Sequence, residues 1–393
     1  MTNRNDLLTG SVPRCIIRMA LPMMIGMLSI VMYNLGDTYF VGKLGKDELA
    51  AISFTFPVVM ILGSIAFGLG IGVSSLISTA IGAGNYDKVK RYTTDVLLLG
   101  VILAGVFSVT GFLVMDTLFS AMGADGVILK FIREYMSIWF LGSIFVVVPM
   151  IGNNAIRASG DTRTPAIVMT TSGVLNLILD PVLMFGIGPF PEMGIRGAAM
   201  ATLVSRAITL VVALYVLGFR EKMLSSKIPS FSELMSSWKD ILHIGLPEAF
   251  TRIVMPLANG IITKMVAGYG VAAVAGFGVA VRVEFFALLP IFSVAAVIAP
   301  FVGQNLGAKK LDRIVSALRF AVIYSLITGV VIFALSYFFA SDIASIFNND
   351  KEVIRTASIY MVLVSAGYGF FGVVKIFAGV LNVFRKPLLA SLT

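Results

Sequence analysis

The chain has 393 residues, of which 58% are hydrophobic and 13% charged, and its mean hydropathy is +0.95. Soluble domains carry about 25% charged residues, so this composition excludes a globular fold covered by water. The formal net charge is +9, but the basic residues fall in alternate short loops and not in one patch, which argues for a sided membrane protein and against a nucleic-acid partner.

Apolar runs of about 20 residues cross the roughly 30 Å hydrocarbon core as helices. Backbone groups in lipid must pair within their own segment, so runs of this length predict helices. The first is predicted over 15–41. It holds Pro22, which removes a backbone bond and permits a kink, and Asp37, an acid at membrane depth. The second, 51–81, contains Gly68-Leu69-Gly70-Ile71-Gly72, a pattern for close helix packing rather than phosphate binding. The third and fourth are predicted over 94–115 and 130–154. The fifth, 165–186, carries Asn176 and Asp180 four residues apart, hence on one face. The sixth, 195–218, brings Thr202 to a similar depth. A polar linker, 221–239, precedes the seventh, 241–267, which holds Glu248 and Arg252 one turn apart and then Lys264. The eighth, 272–305, has Arg282 near Glu284. The ninth spans 313–338, the tenth, 353–383, contains Lys375, and an eleventh begins near Pro387. The lone Cys15 allows no intrachain disulfide, and the lone His243 makes no histidine metal site. The first run is a full span with no small-residue cleavage site after it, so no cleaved signal peptide is expected.

Basic residues sit at the N-terminus (Arg4, Arg14, Arg18) and in every second loop: Lys88, Lys90 and Arg91; Arg157 and Arg163; Arg220, Lys222, Lys227 and Lys239; Lys309, Lys310 and Arg313; Arg385 and Lys386. The other loops are mixed or acidic, such as Asp116 with Asp125, or Asp342 with Asp350 and Glu352. The alternation predicts a multi-pass protein of the cytoplasmic (inner) membrane with its N-terminus inside.

The chain also repeats itself. Leu21-Pro22 recurs as Leu246-Pro247, Gly45 as Gly270, Gly82-Ala83 as Gly307-Ala308, Asp87-Lys88 as Asp312-Arg313, and Tyr135-Met136 as Tyr360-Met361, all at one displacement along the chain. Arg163-Thr164-Pro165 aligns with Arg385-Lys386-Pro387 at a slightly shorter one. Six helices separate the copies, so both run in the same direction, which predicts parallel repeats about an axis along the membrane normal with a cavity between two lobes. The expected division is an N-lobe over 1–220, a linker over 221–239 and a C-lobe over 240–393. Thr393 corresponds to Thr171, so the second copy is expected to lack roughly one and a half helices.

Ionised groups in mid-membrane cost several kcal/mol and are functional candidates by default. Asp37, Asn176, Asp180 and Thr202 at one depth form a hard-oxygen set that suits Na⁺, or a proton shared by coupled carboxylates. The plainer alternative is that each aspartate caps a helix end, with Asp180-Pro181 marking one. Pro22 is then either a static bend or one that changes when Asp37 or Asp180 gains a proton. In the second copy Ile262 stands where Asp37 would, so the acidic site is not duplicated. Glu248, Arg252, Lys264, Arg282, Glu284 and Lys375 either pair internally and lock that half or contact a substrate. The twenty Met and 29 Phe are expected mostly to face lipid or core, and a cavity lined by Met and Phe would still suit varied apolar cations.

Tyr33-Asn34-Leu35-Gly36-Asp37-Thr38-Tyr39-Phe40-Val41-Gly42, Asn176-Leu177-Ile178-Leu179-Asp180-Pro181 and Gly197-Ala198-Ala199-Met200-Ala201-Thr202 resemble the signatures of helices one, five and six of the MATE (multidrug and toxic compound extrusion) family. Arg157-Ala158-Ser159-Gly160-Asp161-Thr162 and Gly303-Gln304-Asn305-Leu306-Gly307-Ala308 resemble its loops. The resemblance covers the whole chain. It implies an all-α polytopic fold of two parallel six-helix repeats, the second incomplete, with ten to eleven helices here. It implies export of small amphipathic organic cations or drugs by a monomer, through alternating access, with H⁺ or Na⁺ as coupling ion and no cofactor. It carries over Asp37, Asn176, Asp180 and Thr202 as the cation site, and Tyr135, Asn154, Asn153 and Met169 as cavity residues. Helix seven has no acid beyond Glu248, which is similar to the DinF-like branch. Two other readings stand beside it. A lipid-linked oligosaccharide flippase would want a cationic central cavity, for which Lys264, Arg282 and Lys375 are candidates, but the acidic N-lobe argues against it. A non-transporting membrane protein or intramembrane enzyme finds no metal-protease, Ser–His or aspartyl motif.

Overall fold

The computed structural model describes residues 6–227 and 229–392. Arg4, counted above among the basic N-terminal residues, and Thr393, matched to Thr171, lie outside the described residues. Every regular element among the described residues is helical: α1 (Asp6–Thr9), α2 (Val12–Leu44), α3 (Lys46–Gly82), α4 (Tyr86–Ala121), α5 (Gly126–Leu141), α6 (Ser143–Ala158), α7 (Arg163–Met184), α8 (Ile195–Tyr215, continued by a π turn to Arg220), α9 (Phe231–Ala267), α10 (Val271–Gly307), α11 (Leu311–Ser345), α12 (Lys351–Ser365), α13 (Tyr368–Val383) and α14 (Pro387–Leu392).

The repeat is visible in the helix ends. At the displacement that carries Leu21 onto Leu246, α3 falls on α10 and α6 on α13 at both ends. Seven helices are individually long and apolar enough to cross a membrane. The pairs α5–α6 and α12–α13 qualify as two more, each bent, by 49° and 53°, and α9 packs against α3. The predicted fourth and tenth helices are therefore each two helices, not one. The breaks fall at Gly142 and Gly367, which are themselves repeat counterparts. Glycine weakens a helix by only about 1 kcal/mol, so neither break could be read from an apolar run.

The helices also outrun their apolar segments. α4 and α11 extend past the predicted 94–115 and 313–338 because polar turns continue them beyond the lipid. α9 starts ten residues before the predicted 241, so residues 231–239 of the expected linker are helix. A capping box explains this start: Glu233 N donates to Ser230 Oγ (3.3 Å), and Ser230 N donates to Glu233 Oε2 (2.9 Å). The Ser230 backbone and side-chain bonds hold the Glu233 carboxyl below its usual range.

The two halves meet at the end of the bundle that carries the basic loops. Ile16, Met19 and Met23 of α2 join Val297 and Phe301 of α10 in one buried cluster. Small residues allow the backbones to touch there: a Cβ on Gly82 would run into the Gln304 backbone, and one on Gly307 into Thr79 and Ala83. Gln304 Nε2 donates to Ala158 O (2.8 Å), Asn305 Nδ2 to Leu7 O (3.2 Å), and Arg313 Nη2 to Gly10 O (2.8 Å). Tyr92 OH donates to Asp240 Oδ2 (2.7 Å). The Gly303–Ala308 motif thus supplies much of the closed end. Near the middle of α9, Arg252 keeps 45% of its side-chain surface open. An arginine at that depth does not face lipid, so it lines a water-reached cavity between the halves, closed at the basic end.

Candidate functional site

The site begins with how closely α2 and α7 approach. A Cβ on Gly26 would stand 3.1 Å from Ala166 Cα, and one on Gly173 would stand 3.2 Å from Ser29 O. Ser29 Oγ and Thr170 Oγ1 share a hydrogen bond of 2.9 Å. The helices run parallel from the basic end, so this register carries Asp37 up to the level of Asp180. Across from them, a Cβ on Gly197 of α8 would run into the Leu183–Met184 backbone of α7, which brings Thr202 in.

Asn176 Nδ2 donates to Asp180 Oδ1 (3.3 Å) and lies 3.4 Å from Thr202 Oγ1. Asn176, Asp180 and Thr202 are buried, Asp180 fully. Asp37 interacts electrostatically with Asp180, with Tyr33 and with Tyr135. The structure therefore brings the four predicted cation-site residues together. Three of their buried oxygens have no hydrogen-bond partner: Asp37 Oδ1, Asn176 Oδ1 and Asp180 Oδ2. Orphaned buried oxygens are expensive unless something neutralises them. Two carboxylates, an amide oxygen and a hydroxyl are the donor chemistry of a hard cation or a shared proton.

The helix-cap alternative fails on geometry. α7 continues through Pro181 to Met184, and α2 continues past Asp37 to Leu44, as one helix through Pro22. A small pocket opens beside the site between Tyr33, Met169, Asn176, Thr202 and Arg206. Tyr135 is buried and interacts electrostatically with the same acids, and Met169 lines the pocket beside them. Asn154 does not join them. It donates to Met150 O (2.7 Å), accepts from the Arg157 guanidinium, and packs against Gly70. Asn153 lies next to it with a buried, unpartnered Oδ1.

Two residues were missed. Arg206 holds its guanidinium 5.5 Å from the Tyr33 ring centre, and both residues line the pocket with Thr202. Arg206 is a charge inside the predicted sixth helix, so the rule that selects Asp37 selects it too. Tyr33 carried no such signal.

The second half keeps only part of its expected pairing. Arg252 Nε and Glu248 Oε1 are 3.8 Å apart, and Asn382 Nδ2 donates to Glu248 Oε2 (3.2 Å). Glu284 does not pair with Arg282: residues two apart on a helix diverge, and its Oε2 accepts from Tyr360 OH at 2.9 Å instead. Arg282 and Lys264 are exposed. Lys375 lies 5.3 Å from the Phe371 ring centre. Arg157, predicted in a loop, belongs to α6. The companion motif residue Asp161 accepts from Thr164 N (3.0 Å) and pairs with Arg220.

The MatE family profile matches residues 22–182 and 247–391, two copies whose starts fall on the repeated Pro22 and Pro247. The chain is 39% identical over 388 residues to the FAD transporter of Shewanella oneidensis, covering 99% of this chain and 86% of that one. It is 28% identical over 366 residues to the probable multidrug resistance protein YoeA of Bacillus subtilis, covering 91% and 78%. Among solved structures, the Vibrio cholerae MATE transporter VcmN in the bent form aligns with a TM-score of 0.91 at 29% identity, over 98% of this chain and 86% of that one. An outward-facing multidrug resistance MATE family transporter of the MOP superfamily aligns at 0.88 and 28%, over 100% and 87%. With both halves matched and the apolar spans in place, the chain belongs to the MatE family of multi-pass membrane transporters.

Proposed function

We propose that this chain is a cation-coupled exporter whose coupling site is Asp37, Asn176, Asp180 and Thr202. One observation carries the reading: three buried oxygens of this set, two of them carboxylate, lack any partner. With the basic loops facing the cytoplasm, the N-terminus is inside and the structure is outward-facing. H⁺ or Na⁺ enters from outside and neutralises the acidic pair. The lobes 1–220 and 240–393, joined by 221–239, then reorient, and Pro22 gives α2 a point at which to bend. If the cation and the outward-facing, cargo-loaded state exclude each other, linkage drives cargo outward at the expense of the cation gradient. In this reading the working unit is a monomer.

The multidrug relatives support amphipathic organic cations as cargo, as the Met- and Phe-rich composition does. The relative named as a FAD transporter supports an anion. Reconstituted vesicles test the coupling. Dye efflux should respond to an imposed pH or Na⁺ gradient in the unmodified chain and lose that response in Asp37→Asn and in Asp180→Asn. Gradient-driven efflux retained by both variants sinks the mechanism.

A further inference from the structure

Below the acidic site, where the cavity closes, a second cluster has the opposite sign. Arg252 of α9, Arg157 of α6 and Lys375 of α13 come from three helices and both halves. Arg157 and Lys375 each interact electrostatically with Arg252. Glu248 is the carboxylate that faces Arg252 and Lys375. Three cations against one carboxylate leave a formal excess of two positive charges at membrane depth, where an isolated charge costs several kcal/mol. The groups are held but not satisfied. The Arg252 guanidinium lies 3.2 Å from the ring centre of Phe67, with 45% of its side-chain surface open to the cavity. Arg157 spends one amino group on Asn154, while its Nε is buried without a partner. Packing fixes the floor: a Cβ on Gly70 would strike Asn154, and one on Gly68 would stand 2.9 Å from Ala249 N.

The arrangement is not inherited from the repeat. The counterparts of Glu248, Arg252 and Lys375 are Met23, Met27 and Met150, and the counterpart of Arg157 is Asn382. The charge has been placed across the pseudo-symmetry axis, not duplicated. Guanidinium forks match phosphate geometry, and a planar ring beneath one favours an aromatic ligand stacked nearby.

We propose that Arg157, Arg252 and Lys375 form the floor of the cargo site and bind a dianionic phosphate or pyrophosphate group, so that the cargo is an organic phosphate and not an organic cation. This inference rests on the exporter reading for its setting but not for its measurement. The same chemistry has two sources, a soluble dinucleotide and a pyrophosphate-bearing lipid.

The test is equilibrium binding to the full chain in nanodiscs, with no gradient. The probes are FAD, riboflavin (the same ring without phosphate) and a polyprenyl pyrophosphate. FAD should bind at least about tenfold more tightly than riboflavin, a gap of the size expected for a charge-assisted pair. Arg252→Gln and Arg157→Gln should remove that advantage, and Arg252→Lys should restore part of it. If the lipid binds and FAD does not, with the same dependence on the arginines, the floor still reads pyrophosphate and the source is the lipid. Riboflavin binding as tightly as FAD, or FAD affinity unchanged in folded Arg252→Gln and Arg157→Gln, overturns the inference. Gradient-driven dye efflux that depends on Asp37 would then leave the exporter reading standing. FAD bound at the arginines but not moved under any gradient would sink that reading instead.

Discussion

Gly72→Ala probes whether the contact at the basic end belongs to one state of a moving protein. Gly72 lies on α3 facing α9, and a Cβ there would stand 2.6 Å from Ile241 O, 3.3 Å from Gly245 N and 3.5 Å from Gly245 Cα. All three are backbone atoms, which cannot swing aside. Carbon contacts are comfortable from about 3.5 Å, so α3 and α9 must part by about 0.9 Å. Overpacking of this kind costs about 1–3 kcal/mol. The cost falls only on the conformation in which this end is closed if the proposed alternating access separates the two helices there. The equilibrium should therefore move toward the state open at the basic end by roughly 5- to 150-fold. Spin labels at Lys88 and Lys309, both exposed at this end, would report it as a longer distance after the buried Cys15 is replaced by serine. Gly63→Ala is the control, because nothing stands within 4 Å of its added Cβ and its distances should not move. An unchanged distribution in a folded Gly72→Ala protein refutes the state-specific contact.

Three further outcomes follow from the same geometry. Thr202→Val removes the hydroxyl 3.4 Å from Asn176 Nδ2 and should weaken the coupling cation by about 0.5–1.5 kcal/mol, read as a rightward shift in its half-saturating concentration. Tyr92→Phe deletes the 2.7 Å bond to Asp240. Asp240 is partly exposed, so the loss should be near 1 kcal/mol, opening the basic end as Gly72→Ala does but less, by the same label distance. Ser230→Ala removes the cap of α9. The Glu233 carboxyl is held below its usual range by Ser230, so its contribution is present above the unfolded carboxylate value and fades as pH falls through the lowered one. Amide exchange at the first turn of α9 should lose that acid dependence in the variant.

The apolar spans, the repeat and the acidic pair were legible because each depends on local or periodic information. An apolar run marks itself, a fixed displacement between copies survives any boundary error, and an aspartate inside an apolar run needs no structure to stand out. The bends at Gly142 and Gly367 were not legible, since glycine is tolerated in helices and frequent in membrane ones. Arg157 was hidden for a different reason: the apolar run stops near residue 154 while the helix continues to Ala158, so a charge at the cavity floor resembled a loop charge. The expected Arg282–Glu284 pair failed because proximity in sequence is not proximity on a helix face. Tyr360, far along the chain from Glu284, could be found only from the fold.

The repeat also explains why the two chemistries can coexist. A duplicated six-helix unit would carry acids or bases in both copies, and a cavity with one sign throughout could not hold a coupling cation and an anionic cargo together. Here the copies have diverged at matched positions. Asp37 corresponds to Ile262, Glu248 and Arg252 correspond to Met23 and Met27, and Lys375 corresponds to Met150. The acids lie within the first half, between α2 and α7, and the bases sit on the floor that both halves share. Rearrangement of α2 against α7 can then change with cation binding while the basic floor is made or split by the meeting of the halves. Each event moves a different contact, yet both belong to one two-state motion, which is the requirement for coupling. The arrangement predicts that neutralising the floor leaves cation binding at Asp37 and Asp180 intact. Separate losses of cargo and of coupling, and not a joint loss, should follow substitutions at the two sites.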